Sequence, residues 1–247
     1  MPDTAEKHPR VLAFSAHAAD YCSRSGATLA KYARAGSPVR VVALTYGERG
    51  ESGELWRAQP KLTIDEVKAI RRAESEASAR VLGVEIKFLD WNDYPLFIGE
   101  ERLLGLVDEI REFRPDIVVT HWRSDELNQD HQYTAEAVIR ACSCANAAGQ
   151  KRAKPPVRWP EVFFFESGVP QTEFNGFNPD TFVDVTDTFA LKLEALAQFK
   201  AQPVLQDWYR QYGERRGWQA RSYSGRAGIK YAEGFVRYRP QITDWLH

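Results

Sequence analysis

His17 and Asp20 stand three residues apart directly after a short apolar run, and His131 follows a later one. On a tight strand-to-helix turn, a histidine and a carboxylate at this spacing can point at one ion. A third ligand from another loop, for which His131 is the obvious choice, leaves a position open for water or substrate. Two imidazoles and one carboxylate suit zinc as well as other divalent ions. The same H-x-x-D spacing also arises when the Asp caps a helix and the histidine is a satisfied surface group. Placement favours the ion: of five histidines (His8, His17, His121, His131, His247), three fall at the ends of predicted strands.

The elements that must position these groups are legible. Residues 10–16 (RVLAFSA) predict a strand, and 25–35 a helix closed by Gly36 and Pro38. A second strand is predicted at 39–44. After a Gly- and Glu-rich loop, Thr63 to Glu66 form a capping box that opens a charged helix to Leu82. A third strand at 86–89, a helical pattern from Leu103 to Phe113, a fourth strand at 116–120 and a helix over about 132–148 follow. Continuous apolar strands alternating with amphipathic helices predict a doubly wound α/β fold, its mostly parallel sheet covered on both faces. The basic, proline-rich stretch 149–160 is the best boundary candidate. Strands at 162–166 and 181–185 and helices at 188–200 and 205–216 are read as completing one domain over 1–247, with a C-terminal extension from about 203 to 247.

In such a sheet the ligand lies beyond the carboxyl ends of the strands. Polar groups collect there: His17 to Asp20 after the first strand, Gly47 to Ser52 after the second, and His121 with Asn128 to His131 after the fourth.

Composition narrows the function classes. With 247 residues, 43% hydrophobic and 27% charged, the chain is neither disordered nor fibrous. Lys plus Arg number 33 against 34 Asp plus Glu, so no strong field favours nucleic acid or an anionic membrane. The apolar run before His17 is too short for a signal peptide or a membrane span, and a cytoplasmic protein is expected. Cys22, Cys142 and Cys144, with no CxxC spacing, are expected to be reduced.

The loop at His17 to Asp20 resembles the A-H-P-D-D signature of the PIG-L/LmbE superfamily of zinc-dependent N-deacetylases, and Asn128 to His131 its H-P-D-H signature. The runs T-Y-G-E-R-G-E-S at 45–52, D-Y-P-L at 93–96, R-G-W-Q-A-R at 216–221 and S-G-R-x-x-I-K-Y-A-E at 224–233 resemble its 4-oxalomesaconate hydratase branch. The resemblance implies a Rossmann-like, LmbE-like fold, zinc held by His17, Asp20 and His131, a small-molecule carboxylate substrate and a homo-oligomer.

Departures from the deacetylase pattern fall on residues that hydrolysis needs. There a carboxylate beside the metal removes the proton of water and a histidine steadies the oxyanion. Here Ala19 and Asn128 occupy those positions. With the ligands kept and the base gone, hydration of an activated carbon–carbon double bond is the expected reaction, a divergent N-deacetylase the alternative, and a non-catalytic binding module a third reading. Glu48 and Glu51 are then the candidates for proton transfer, Glu48 first, with Arg49 paired to a substrate carboxylate. His121 is either a second proton carrier or a histidine held under the His131 loop. Asn128, Glu166, Arg226 and Lys230 are expected to bind substrate. A loop carrying Glu48, Glu51 and Glu54 would repel a polyanion unless Arg49, Arg57 or Lys230 offset it. The hydratase branch carries a histidine shortly after the fifth-strand glutamate, and Glu166 to Gln171 has none. Trp91, Tyr94, Phe97, Trp208, Tyr209 and Tyr212 are read as packing residues, and 221–230 as a flap or subunit contact.

Overall fold

The computed structural model describes residues 8–167 and 172–244, so Gly168 to Gln171 and the end of the expected extension lie outside the described residues. The strands are β1 (Val11–Ser15), β2 (Val39–Ala43), β3 (Glu85–Phe88), β4 (Ile117–His121), β5 (Glu161–Phe165), β6 (Thr181–Asp184) and β7 (Ala232–Arg237). The helices are α1 (Asp20–Arg34), α2 (Gly53–Ala58), α3 (Ile64–Leu82), α4 (Glu100–Phe113), α5 (Gln129–Asn146), α6 (Phe189–Leu196) and α7 (Leu205–Ser224). One sheet of order β3-β2-β1-β4-β5-β7-β6 holds all seven strands. Neighbours are parallel except at β7, which runs antiparallel to both β5 and β6. Strand order reverses between β1 and β4, and the strand ends there carry His17 and His121.

Side chains alternate across the sheet with the period of two that a strand imposes. Val11 and Ala13 pack with Val41, Val119 and Phe165 under α1, α3 and α6, whereas Leu12 and Phe14 pack with Val42, Val118 and Phe164 under α4 and α5. The expected fold class is the observed one: both faces are covered. The stretch 149–160 does not interrupt this. Arg111 on α4 donates to the Lys154 carbonyl, and Asn146 on α5 to that of Val157, which is buried.

Three differences from the sequence reading matter for the site. Helix α1 begins at Asp20 rather than Ser25, because Asp20 accepts the His17 N–H (2.7 Å) and places its charge in the first turn, where the helix dipole favours an anion. Helix α2, which buries no residue, was hidden in the Glu-rich loop. Residues 221–230 are no free flap, since α7 runs to Ser224 and the chain then returns as β7.

Strand β7 brings in a buried charge. Glu233 accepts the Ala27 and Thr28 N–H groups inside α1 and pairs with Lys192 Nζ at 2.6 Å, both side chains being about 3% exposed. Deleting one partner leaves the other buried and unpaired, so Glu233→Ala is expected to lower stability by about 3–5 kcal/mol in chemical denaturation.

Candidate metal centre and active site

The turn after β1 is tied down from within. Ser15 Oγ donates to the His17 carbonyl and accepts the Tyr21 N–H. His17 is fully buried, and its Nε2 lies 3.4 Å from Asp130 Oδ2. The Asp130 carboxylate is itself fixed by the N–H groups of Tyr94 and Leu96, both at 3.0 Å. His131, in the first turn of α5, has its Nδ1 2.6 Å from Asp125 Oδ2. Asn128 caps α5 by accepting the Asp130 N–H. Each imidazole thus has one nitrogen oriented by a carboxylate, the usual arrangement behind a metal-binding histidine.

The other two nitrogens, His17 Nδ1 and His131 Nε2, are buried without a hydrogen-bond partner. They face two carboxylates. His17 Nδ1 lies 3.3 Å from Asp20 Oδ2 and 3.2 Å from Glu51 Oε1. His131 Nε2 lies 3.6 Å from Asp20 Oδ1 and from Glu51 Oε1. One ligand atom from each of His17, Asp20, Glu51 and His131 lies within 4.8 Å of the others, a group that could hold a metal ion. Glu51 reaches it because Gly47 turns the loop with φ +70°; a Cβ there would lie 3.1 Å from Glu51 Cβ and 3.2 Å from His17 Cβ.

The electrostatics suit a bound cation. Burial opposes charge on every member of the cluster. Even so, Glu51 and Asp20 lift His17 well above its ordinary pKa, and Asp20 helps lift His131 to about 9. Arg24 and the histidines hold Asp20 well below the carboxylate range. Two carboxylates in a dry site draw positive charge, and a divalent ion on the orphaned nitrogens supplies it. Replacing Asp125 by Asn should cost about 10- to 100-fold in metal affinity, read by competition with a chromophoric chelator.

His121 differs. Its Nε2 accepts the Ala16 N–H at 3.0 Å, its ring stacks on His131 at 4.2 Å, and burial together with the charge on His131 pushes it down to about 3. That is the geometry of a neutral support under the His131 loop.

A pocket of about 190 Å³ opens beside the cluster, lined by Ala19, Glu51, Asn128 and Tyr94 and walled by Trp208 and Tyr209. Several expected residues stay outside it. Glu48 is fully buried, its Oε1 faces Arg49, the Asp93 N–H and Lys68, and it is not among the residues that line the pocket. Arg49 is held by Glu48 and the Asp93 carbonyl. Glu166 is buried against Arg216. Arg226 is exposed on Asp184, and Lys230 is exposed near Thr186. Asn128 is in the pocket, with its amide 3.4 Å from Glu51 Oε1. Conversely Tyr94, Trp208 and Tyr209, read as packing residues, line the pocket. Asp125, Asp130 and Arg24 went unnoticed, although Arg24 carries a signal, lying four residues from Asp20 on one helix face.

The family model for GlcNAc-PI de-N-acetylase (PIG-L) matches residues 12–142, a span that includes every donor of the cluster. The chain belongs to the PIG-L family. Within that family it is 36% identical to a 4-oxalmesaconate hydratase of Pseudomonas putida, over 95% of this chain and 91% of that one. The crystal structure of a 4-carboxy-2-hydroxymuconate hydratase from the same organism superposes with a TM-score of 0.92 at 35% identity, covering 96% of this chain and all of that one. The N,N'-diacetylchitobiose deacetylase of Pyrococcus horikoshii is more distant, with a TM-score of 0.74 at 26% identity over 93% of this chain and 83% of its own. PIG-L membership therefore admits both hydration and deacetylation.

Proposed function

We propose that the chain is a metal-dependent hydro-lyase that adds water to an unsaturated oxo-di- or tricarboxylate from aromatic ring cleavage, such as 4-oxalomesaconate. Zinc as the resident ion, a cytoplasmic location and a homo-oligomeric state complete the proposal. The observation that carries it is Ala19: a methyl group, 2% exposed, lines the pocket where a deacetylase of this family needs its carboxylate, beside an intact donor set. Likeness to a hydratase over nearly the whole chain supports the same reading.

His17, Asp20 and His131, with Glu51 at the edge of the set, would hold the ion. When bound, it supplies a Lewis acid for the oxygens of a keto acid or its enol. Glu51 is the pocket carboxylate best placed to direct water, because its Oε1 faces the histidines while its Oε2 accepts one long hydrogen bond, from Gln202 at 3.5 Å, among the described residues. It takes a proton from water as the oxygen bonds to one alkene carbon, and returns a proton to the neighbouring carbon. One π bond and one O–H bond break; one C–O and one C–H bond form.

Loss of the conjugated chromophore of 4-oxalomesaconate, abolished by chelator and restored by zinc, is the expected result. Ala19→Asp should leave deacetylation of diacetylchitobiose at background. Amide turnover by the unaltered protein without chromophore loss would overturn the proposal in favour of a deacetylase using Glu51 as its base.

A further inference from the structure

A polycarboxylate entering this pocket meets Asp20, Glu51 and Asp125, so some cation must answer its remote charge. Of the basic residues that the sequence offers for this, Lys230 is exposed outside the pocket lining and the others are paired elsewhere. Arg49 lies on Glu48, Arg57 on Glu54 and Arg226 on Asp184. Among the described residues that line the pocket, Arg24 is the one arginine or lysine.

Its side chain is 9% exposed, a costly placement for a guanidinium unless its donors are used. Nη1 is used, donating to Asp20 Oδ1 and to Ser23 Oγ. Nε is buried and has no partner. The same pocket is lined by Tyr209, Trp208 and Asn128.

We infer that Arg24 is the anchor for a substrate carboxylate remote from the reacting double bond, received on its Nε edge while Nη1 stays on Asp20. The inference rests on the hydratase reading for its substrate class. A planar fork matches two carboxylate oxygens at once, which a lysine ammonium cannot do. The residue thus couples two tasks: it holds a candidate metal ligand by one nitrogen and selects an acidic substrate by another.

The test uses purified, zinc-loaded protein and its Arg24→Gln and Arg24→Lys variants, with glutarate and its monomethyl ester as probes in calorimetry, metal content by mass spectrometry, and kinetics on 4-oxalomesaconate. The unaltered protein should prefer glutarate, and Arg24→Gln should erase that preference. KM should rise on the order of 10- to 100-fold, the worth of a hydrogen bond to a charged group, with kcat much less affected and zinc retained. Arg24→Lys should fall between the two. No preference for glutarate in the unaltered protein, an unchanged KM in Arg24→Gln, or loss of zinc that accounts for the whole defect would each overturn the inference. Arg24-dependent glutarate binding without turnover of 4-oxalomesaconate would uphold the anchor and remove the hydratase reading, whereas turnover with an unchanged KM in Arg24→Gln would do the reverse.

Discussion

Asp20→Asn should yield a folded protein that no longer retains metal through dialysis and has lost hydratase turnover by at least about 10²–10³-fold. The substitution is nearly isosteric, and an amide oxygen can still accept the His17 N–H that shapes the turn. What disappears is a negative charge facing His17, His121 and His131. Without it the orphaned nitrogens lack the carboxylate that completes their donor set, and Arg24 loses its partner. Elemental analysis of variant and parent, alongside thermal denaturation as a check on folding, decides the matter. Full metal content and full turnover in Asp20→Asn would remove the cluster from the mechanism.

The second large effect belongs to Glu51. Glu51→Gln keeps the shape of the side chain and an oxygen for His17 and Asn128 to face, but it cannot accept a proton. A fall in kcat of about 10²–10⁴-fold is expected, the range for removing a general base. Glu48→Gln serves as the comparison. Although burial and the neighbouring Asp93 raise the Glu48 pKa, its Oε1 faces the Asp93 N–H and Lys68, and the residue lies outside the pocket lining. Its loss should therefore have the smaller effect, and a larger defect at Glu48 than at Glu51 would reassign proton transfer.

This contrast shows where sequence reading stops. The first four strands were legible because each is a short β-rich run, wholly apolar or nearly so at β1 and β4 and broken by charges at β2 and β3, with a helix following; the capping box at Thr63 and Glu66 is present as read. His17, Asp20 and His131 were legible because strand ends in such a sheet share one rim. Choosing between Glu48 and Glu51 was not, since both stand on one loop turned by Gly47 and, of the two, Glu51 lines the pocket. Nor was the supporting shell: Asp130 is recognised only when the chain from Tyr94 to Leu96 folds across it. Strand β7 escaped because its inward Glu233 spoils the alternation of apolar and polar residues, and that charge makes sense only with Lys192 beside it.

The reversed strand also sets an order of assembly during synthesis. The residues at 17, 20, 51 and 131 emerge from the ribosome well before α7, which carries the aromatic wall of the pocket. Strand β6 emerges before β7, its sheet neighbour among the described residues, so the inner edge of β6 and the edge of β5 stay unpaired until the last strand inserts between them. The completion of the pocket wall and the joining of β6 to the rest of the sheet thus fall to one late stretch of polypeptide, α7 and β7.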